Sequence, residues 1–225
     1  MGVNRTDAEK EPRRCFIFSA GNLYHSSLRE LPRRPVDYVI AADAGFLLCK
    51  ERNLVPDLII GDFDSMEQPV GLSTVTVRRV PVEKDDTDTM LAVKAGLEAG
   101  CTVFHLYGCT GGRRLDHTLA NFQALLYLRR RGARGFLYGD AFVWTVIEGE
   151  TLTIRREIPW ALLSLFPLDG RAEGVTASGV QYPVRDGVLN PAFPLGVSNH
   201  IIEDEAVVAV ERGALLAGWQ TAAGL

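Results

Sequence analysis

Between Cys15 and Tyr138 the chain carries six short, largely apolar runs, at 15–19, 36–41, 58–60, 74–80, 103–107 and 135–138. Most of them lack the polar alternation of a strand that keeps one face in water. A strand that is apolar on both sides has to be covered on both sides, and a parallel sheet flanked by helices does this. Longer amphipathic stretches at 45–52, 87–99 and 115–131 alternate with the runs and read as those helices. The third sets Leu115, Leu119, Phe122 and Leu126 at helical spacing and ends on three arginines and Gly132, cations and a stop suited to a helix C-terminus. This strand, loop and helix rhythm predicts a mostly parallel, Rossmann-like α/β domain over residues 1–139.

Beyond Asp140 the rhythm changes. Short runs at 142–147, 151–154, 161–166, 174–177, 197–202 and 206–210 are separated by turn signals such as Glu148-Gly149-Glu150, Asp169-Gly170 and Arg185-Asp186-Gly187. This spacing predicts an all-β, sandwich-like second domain over residues 140–225. A chain of 225 residues is long enough for two such cores. Its 24 basic and 28 acidic side chains leave a net charge of −4, which disfavours a nucleic-acid or membrane-surface partner. No stretch is long and apolar enough for an export signal or a membrane span, so neither is expected. Cys15, Cys49, Cys101 and Cys109 form no CxxC pair, which suits reduced thiols and a cytoplasmic location.

Carboxylates are the conspicuous chemistry. Seven of the 14 aspartates fall between Asp43 and Asp88, and most of these follow a predicted strand. Asp43 follows Val39–Ala42, Asp62 and Asp64 follow Leu58–Gly61, and Asp85, Asp86 and Asp88 follow the run ending at Val82. In an open parallel sheet, ligands bind outside the carboxyl ends of the strands. Carboxylates gathered there repel one another unless a cation compensates, and an all-oxygen site beside phosphate suits Mg²⁺. Taken singly, each aspartate also fits as a helix cap or turn residue.

A second element completes the pattern. Gly108-Cys109-Thr110-Gly111-Gly112-Arg113-Arg114-Leu115-Asp116-His117 joins a predicted strand to the longest helix. Glycines let main-chain N–H groups approach phosphate, a helix N-terminus favours anions, and arginine chelates phosphate oxygens. The loop is neither a Walker A motif nor a dinucleotide fingerprint. His117 suits either a general base or an orienting hydrogen-bond donor.

With AADAG at 41–45, PDLIIGDFDS at 56–65, KDDTD at 84–88, GCTGGRRLDHTLAN at 108–121 and GVSNHI at 196–201, the chain resembles the thiamine pyrophosphokinases in order and spacing. The resemblance implies conversion of ATP and thiamine to AMP and thiamine diphosphate by a Mg²⁺-dependent homodimer. It implies that Asp62, Asp64 and Asp88 hold metal, and that Asp85 and Asp116 join them as active-site carboxylates. It further implies Asp43, Lys84, Thr87, Gly111, Gly112, Arg113 or Arg114, His117 and Asn121 at ATP, and Ser198 and Asn199 beside thiamine. The segment between the Gly pair and Asp116-His117 is one residue longer than the usual family pattern. Met90 and His200 stand where relatives often carry acidic residues. The alternative functions are a Mg²⁺-dependent phosphoester hydrolase with water as nucleophile, and a non-catalytic nucleotide or thiamine sensor.

Overall fold

The computed structural model describes residues 11–22, 34–63, 75–81, 83 and 85–222. The first half contains β1 (Arg14–Phe18), β2 (Tyr38–Ala42), α1 (Gly45–Glu51), β3 (Leu58–Gly61), β4 (Thr76–Arg79), α2 (Asp88–Glu98), β5 (Val103–Tyr107), α3 (Leu115–Arg129) and β6 (Arg134–Tyr138). Its strands are all parallel, in the order β4-β3-β2-β1-β5-β6. The chain therefore lays β2, β3 and β4 to one side of β1, then returns to lay β5 and β6 on the other. That reversal of order opens a crevice at the carboxyl end of β1.

The apolar runs divide by parity, as a pleated strand requires. Cys15, Ile17, Ile40, Ala42, Leu58 and Ile60 face a core shared with α2 and α3. Phe16, Phe18, Val39, Ala41 and Ile59 face the opposite core, which contains Cys49 of α1. Continuous apolarity in the sequence thus reflects burial on both faces.

The second half holds β7 (Phe142–Arg155), β8 (Leu162–Pro167), β9 (Ala172–Ser178), β10 (Val184–Leu189), β11 (Asn199–His200) and β12 (Glu205–Gln220). These strands enclose a separate core that includes Ile154, Leu163, Val175, Ile201 and Val208. The 16-residue β12 organises them. It pairs antiparallel with β7 along one edge, and with β8 and then β9 along the other.

Four expectations are modified. First, no break in the sheet falls at residue 139. β6 pairs with β7 through Leu137 opposite Trp144 and Tyr138 opposite Val143, so one mixed 12-stranded sheet runs through the whole chain. Second, Glu148-Gly149-Glu150 does not end a strand. Three residues of β12, between Val210 and Ala214, lie opposite the single Gly149, and the irregularity bends a continuous strand pair. Third, Arg185-Asp186-Gly187 lies inside β10, where register shifts and a left-handed Asp186 absorb the turn chemistry within an edge strand. Fourth, only the later half of the expected α3 stripe, Phe122 and Leu126, packs against the core. Asn121, Ala124, Leu125 and Leu128 are buried, whereas Leu115 and Leu119 remain 71% and 57% exposed.

Candidate active site

A cleft of about 370 Å³ occupies the crevice at the end of β1. Its walls come from Ser19 to Gly21 after β1, Asp43 after β2, the loop after β5, and the first turns of α2 and α3. Backbone packed on backbone forms the floor. A Cβ on Gly45 would lie 1.9 Å from the Phe18 carbonyl oxygen, and one on Gly108 would lie 2.3 Å from that of Ser19. Gly108 also takes φ +63°, so both space and conformation demand glycine there. Gly21 N–H donates to the Gly108 carbonyl at 2.7 Å and joins the ends of β1 and β5.

The carboxylates arrive from strand and helix ends. Asp43 takes a left-handed φ of +47°, and its N–H donates to the Ile60 carbonyl at 2.8 Å, so the ends of β2 and β3 are held together. A Cβ on Gly61 would lie 3.0 Å from Asp43 Cα, which places Asp62 immediately beyond that contact. Phe63 follows at φ +60°, a costly conformation for an aromatic residue. Asp88 opens α2. The Thr87 hydroxyl caps this helix by accepting from Met90 N–H at 3.1 Å, and Thr87 and Asp88 line the cleft. Asp64 and Lys84 lie outside the described residues.

On the opposite wall, Gly111 and Gly112 take φ of +74° and +75° and turn the chain into α3. The residue before α3 supplies no side-chain cap, and within the first turn the His117 N–H donates to the Asp116 carboxylate. Arg113, Arg114 and His117 line the cleft there. The two arginines differ. Arg114 donates from Nε and Nη2 to the Asp116 carboxylate at 2.6–3.2 Å, and that hydrogen-bonded ion pair holds Asp116 at about 2. Arg113 makes no hydrogen bond or ion pair with any described residue. Asn121 lines the cleft but is 95% buried, and its Nδ2 donates to the Cys109 carbonyl at 2.8 Å.

Three described candidates of the first half are not among the residues lining the cleft, and Asp62, just past β3, is the first of them. Asp85 lies on an adjoining groove of about 260 Å³ with Asp86, Met90, Gln123 and Tyr127, and this groove meets the cleft at Thr87. Asp86 is engaged by Lys94 Nζ at 2.7 and 2.9 Å. Asp116 turns to Arg114 and is not among the residues lining the cleft.

The Ser198–Asn199 segment belongs to the other core. Ser198 takes φ +59° and its N–H donates to Ser164 Oγ at 3.2 Å. Asn199 spends its amide on the main chain, accepting from Tyr182 N–H and His200 N–H and donating to the Tyr182 carbonyl. Beside it Trp160, 61% exposed and left-handed at φ +55°, stands edge-on to His200 at 5.8 Å.

The profile described as thiamin pyrophosphokinase, catalytic domain, matches residues 33–137, and that described as thiamin pyrophosphokinase, vitamin B1 binding domain, matches residues 150–215. The chain belongs to the thiamin pyrophosphokinase family. Thiamine pyrophosphokinase of Bacillus subtilis (strain 168) is 24% identical over 181 residues, covering 79% of this chain and 84% of that protein. The crystal structure of the Bacillus subtilis thiamine pyrophosphokinase has a TM-score of 0.83 at 22% identity, covering 93% of this chain and all of that one. Thiamin pyrophosphokinase from Candida albicans retains the fold at 14% identity, with a TM-score of 0.71 over 94% of this chain and 90% of that one. The catalytic-domain match spans the whole described cleft except the residues after β1, and the vitamin B1 match contains Trp160 and Ser198–Asn199.

Sequence reasoning overlooked Ser19, Gly21, Thr89 and Trp160. The first three are small or polar residues without a motif of their own, and strand order alone brings them to the cleft. Exposure is what singles out Trp160, and burial state is invisible to composition.

Proposed function

We propose that this protein transfers a pyrophosphoryl group from ATP to the primary hydroxyl of thiamine, giving thiamine diphosphate and AMP. The observation that carries the reading is the meeting of Gly111, Gly112, Arg113 and the N-terminus of α3 with Asp43 and Asp88 in one cleft. One wall is suited to polyphosphate and the other to the cation that accompanies it. The hydroxyl oxygen attacks the β-phosphorus, a bond to that phosphorus forms, and the bond to the α-phosphate oxygen breaks to release AMP. Little covalent help is needed; positioning and charge neutralisation lower the barrier.

Among the described residues no three His, Cys, Asp or Glu side chains gather as a metal site, with Asp64 outside that set. The described donors Asp43, Asp62 and Asp88 are all carboxylates, which fits Mg²⁺ in kind. We assign Asp62, Asp64 and Asp88 to the metal and keep Asp43 and Asp85 as neighbouring active-site carboxylates. Bound Mg²⁺ would neutralise charge on the transferring phosphates. Thr87, Gly111, Gly112 and Arg113 then hold the phosphates with Lys84 and His117. Asn121 keeps the Cys109 carbonyl, and with it the loop, in place, and Asp116 restrains Arg114.

Residues 1–139 form the nucleotide-binding domain in this reading and residues 140–225 the thiamine-binding domain. A second core made wholly of residues after 140 supports the division, although Val146, Ala214 and Leu216 join the first core and the sheet is continuous. The enzyme acts as a cytoplasmic homodimer; the four buried free thiols suit that compartment. Thiamine lies between the carboxylates of one chain and the Ser198–Asn199 loop of the other.

Incubation with ATP, Mg²⁺ and thiamine should yield AMP only when thiamine is present. ADP, or AMP formed without thiamine, overturns the reading. Mixed dimers of Asp88→Asn and Asn199→Ala chains test the shared site: one site collects both lesions and the other neither, so random pairing returns roughly a quarter of wild-type activity. No recovery above the parent variants places each site within one chain.

A further inference from the structure

Three of the seven buried polar residues among those described, Ser19, Thr89 and Asn121, lie directly behind the cleft. Buried polar groups are costly unless paired, so their concentration at one place calls for a physical reason. Ser19 Oγ and Thr89 Oγ1 are 2.8 Å apart and share a hydrogen bond. Burial pushes the Cys109 thiol up to about 12, so it stays protonated at neutral pH, and its Sγ lies 3.4 Å from Ser19 Oγ and 3.5 Å from the Tyr107 carbonyl. Asn121 in turn donates to the Cys109 carbonyl. Side chains thus link the end of β1, the first turn of α2, the loop after β5 and α3, which come from four separate parts of the chain.

The first turn of α2 has particular need of such a link. Its opening residue, Asp88, lines the same cleft as Asp43, and carboxylates that share a site repel one another. The Thr87 cap acts only within α2. Thr89 is the side chain next to Asp88, and its hydroxyl is tied to a different element. We propose that the Ser19–Thr89 hydroxyl pair is a positioning clasp that holds Asp88 at the depth in the cleft where it engages the metal–nucleotide complex. Thr89 and Ser19 are positioning residues and touch no reacting atom. The clasp rests on the pyrophosphoryl-transfer reading given above.

Thr89→Val keeps the branched shape and removes the hydroxyl, whereas Thr89→Ser keeps the hydroxyl. Leaving a buried polar group without its partner should displace the first turn, and kcat of Thr89→Val should fall roughly ten- to a hundredfold. KM for thiamine should change less than kcat, because its other contact, the Ser198–Asn199 loop, belongs to a core the clasp does not touch, and Thr89→Ser should restore most of kcat. Calorimetry supplies a readout besides turnover. ATP binding in EDTA should be unchanged in Thr89→Val, while the affinity gained on adding Mn²⁺ should shrink by a similar factor. If Thr89→Val does not fold, Ser19→Ala breaks the same hydrogen bond from the other side and should show the same pattern. Wild-type-like kcat in the folded variant overturns the clasp. So does failure of Thr89→Ser to rescue, equal loss of ATP binding in EDTA, or failure of both Thr89→Val and Ser19→Ala to fold. Absence of AMP with the wild-type protein would instead overturn the functional reading on which the clasp depends.

Discussion

Replacing Arg113 and Arg114 one at a time separates two neighbouring guanidinium groups that the sequence leaves equivalent. Arg114 reaches phosphate only by giving up its three hydrogen bonds to Asp116, and Asp116, held at about 2 by that contact, stays charged at every ordinary assay pH. Arg113 lines the cleft with no described partner to surrender. A charge-assisted hydrogen bond to phosphate is worth about 1.5–3 kcal/mol, so Arg113→Ala should lower kcat/KM for ATP by roughly 10- to 150-fold. Arg113→Lys keeps the charge but loses the bidentate fork and should fall between. Arg114→Ala removes one member of a solvent-exposed pair and should cost no more than a fewfold. Asp116→Asn frees Arg114 and should recover part of the loss when combined with Arg113→Ala. Initial rates of AMP release against ATP concentration at fixed Mg²⁺ and saturating thiamine measure all of these. A larger loss in Arg114→Ala than in Arg113→Ala, or a loss under twofold in both, refutes the assignment of Arg113 to the phosphates.

Asp88→Asn should cut turnover by about 10² to 10³ with the fold intact, the scale of losing a charge-stabilising element worth about 3–4 kcal/mol, and Asp64→Asn should do the same; near-normal AMP formation at saturating Mg²⁺ contradicts the metal assignment. Asp37 is a pH-dependent stability element. Burial alone would raise its carboxyl, but hydrogen bonds from Arg14 and from the Arg34 main and side chains outweigh this and hold it at about 2. Its folded value is below the unfolded one, so its contribution is complete above about pH 4 and is lost as pH falls through 2, amounting to about 2 kcal/mol. Urea denaturation across pH 5 to 2 should show wild type losing that much relative to Asp37→Asn, and parallel curves would refute the linkage. Gly45→Ala places a Cβ 1.9 Å from the Phe18 carbonyl oxygen and should destabilise by roughly 3 kcal/mol or more, read as a lowered melting temperature; an unchanged melt contradicts the packing of α1 against the end of β1.

The order of elements up to Tyr138 was legible in the sequence because period and length encode it. Runs too apolar for a solvated face, most of them followed by an aspartate or glycine, specify two-sided burial and a ligand edge before any contact is known, although the run at 74–80 forms a largely exposed edge strand. The motifs from AADAG to GVSNHI carried the family in the same way, since they report side-chain chemistry in a fixed order. Tertiary structure decided what depends on partners far away in the chain. Turn signals at Glu148–Glu150 and Arg185–Gly187 became a bulge and an irregular edge strand because β12 and β9 supply hydrogen bonds that local propensity cannot foresee. Leu115 and Leu119 fit a helical stripe, yet the sheet beneath α3 meets its Asn121, Ala124, Leu125 and Leu128 side. Arg113 and Arg114 are identical by composition, and only the position of Asp116 beside one of them makes them different. Ser19 and Thr89 are 70 residues apart and become partners only because β1 lies between β2 and β5, where the end of the strand meets the first turn of α2. Local chemistry is written along the chain, whereas the pairing of distant groups is settled by how the sheet is ordered.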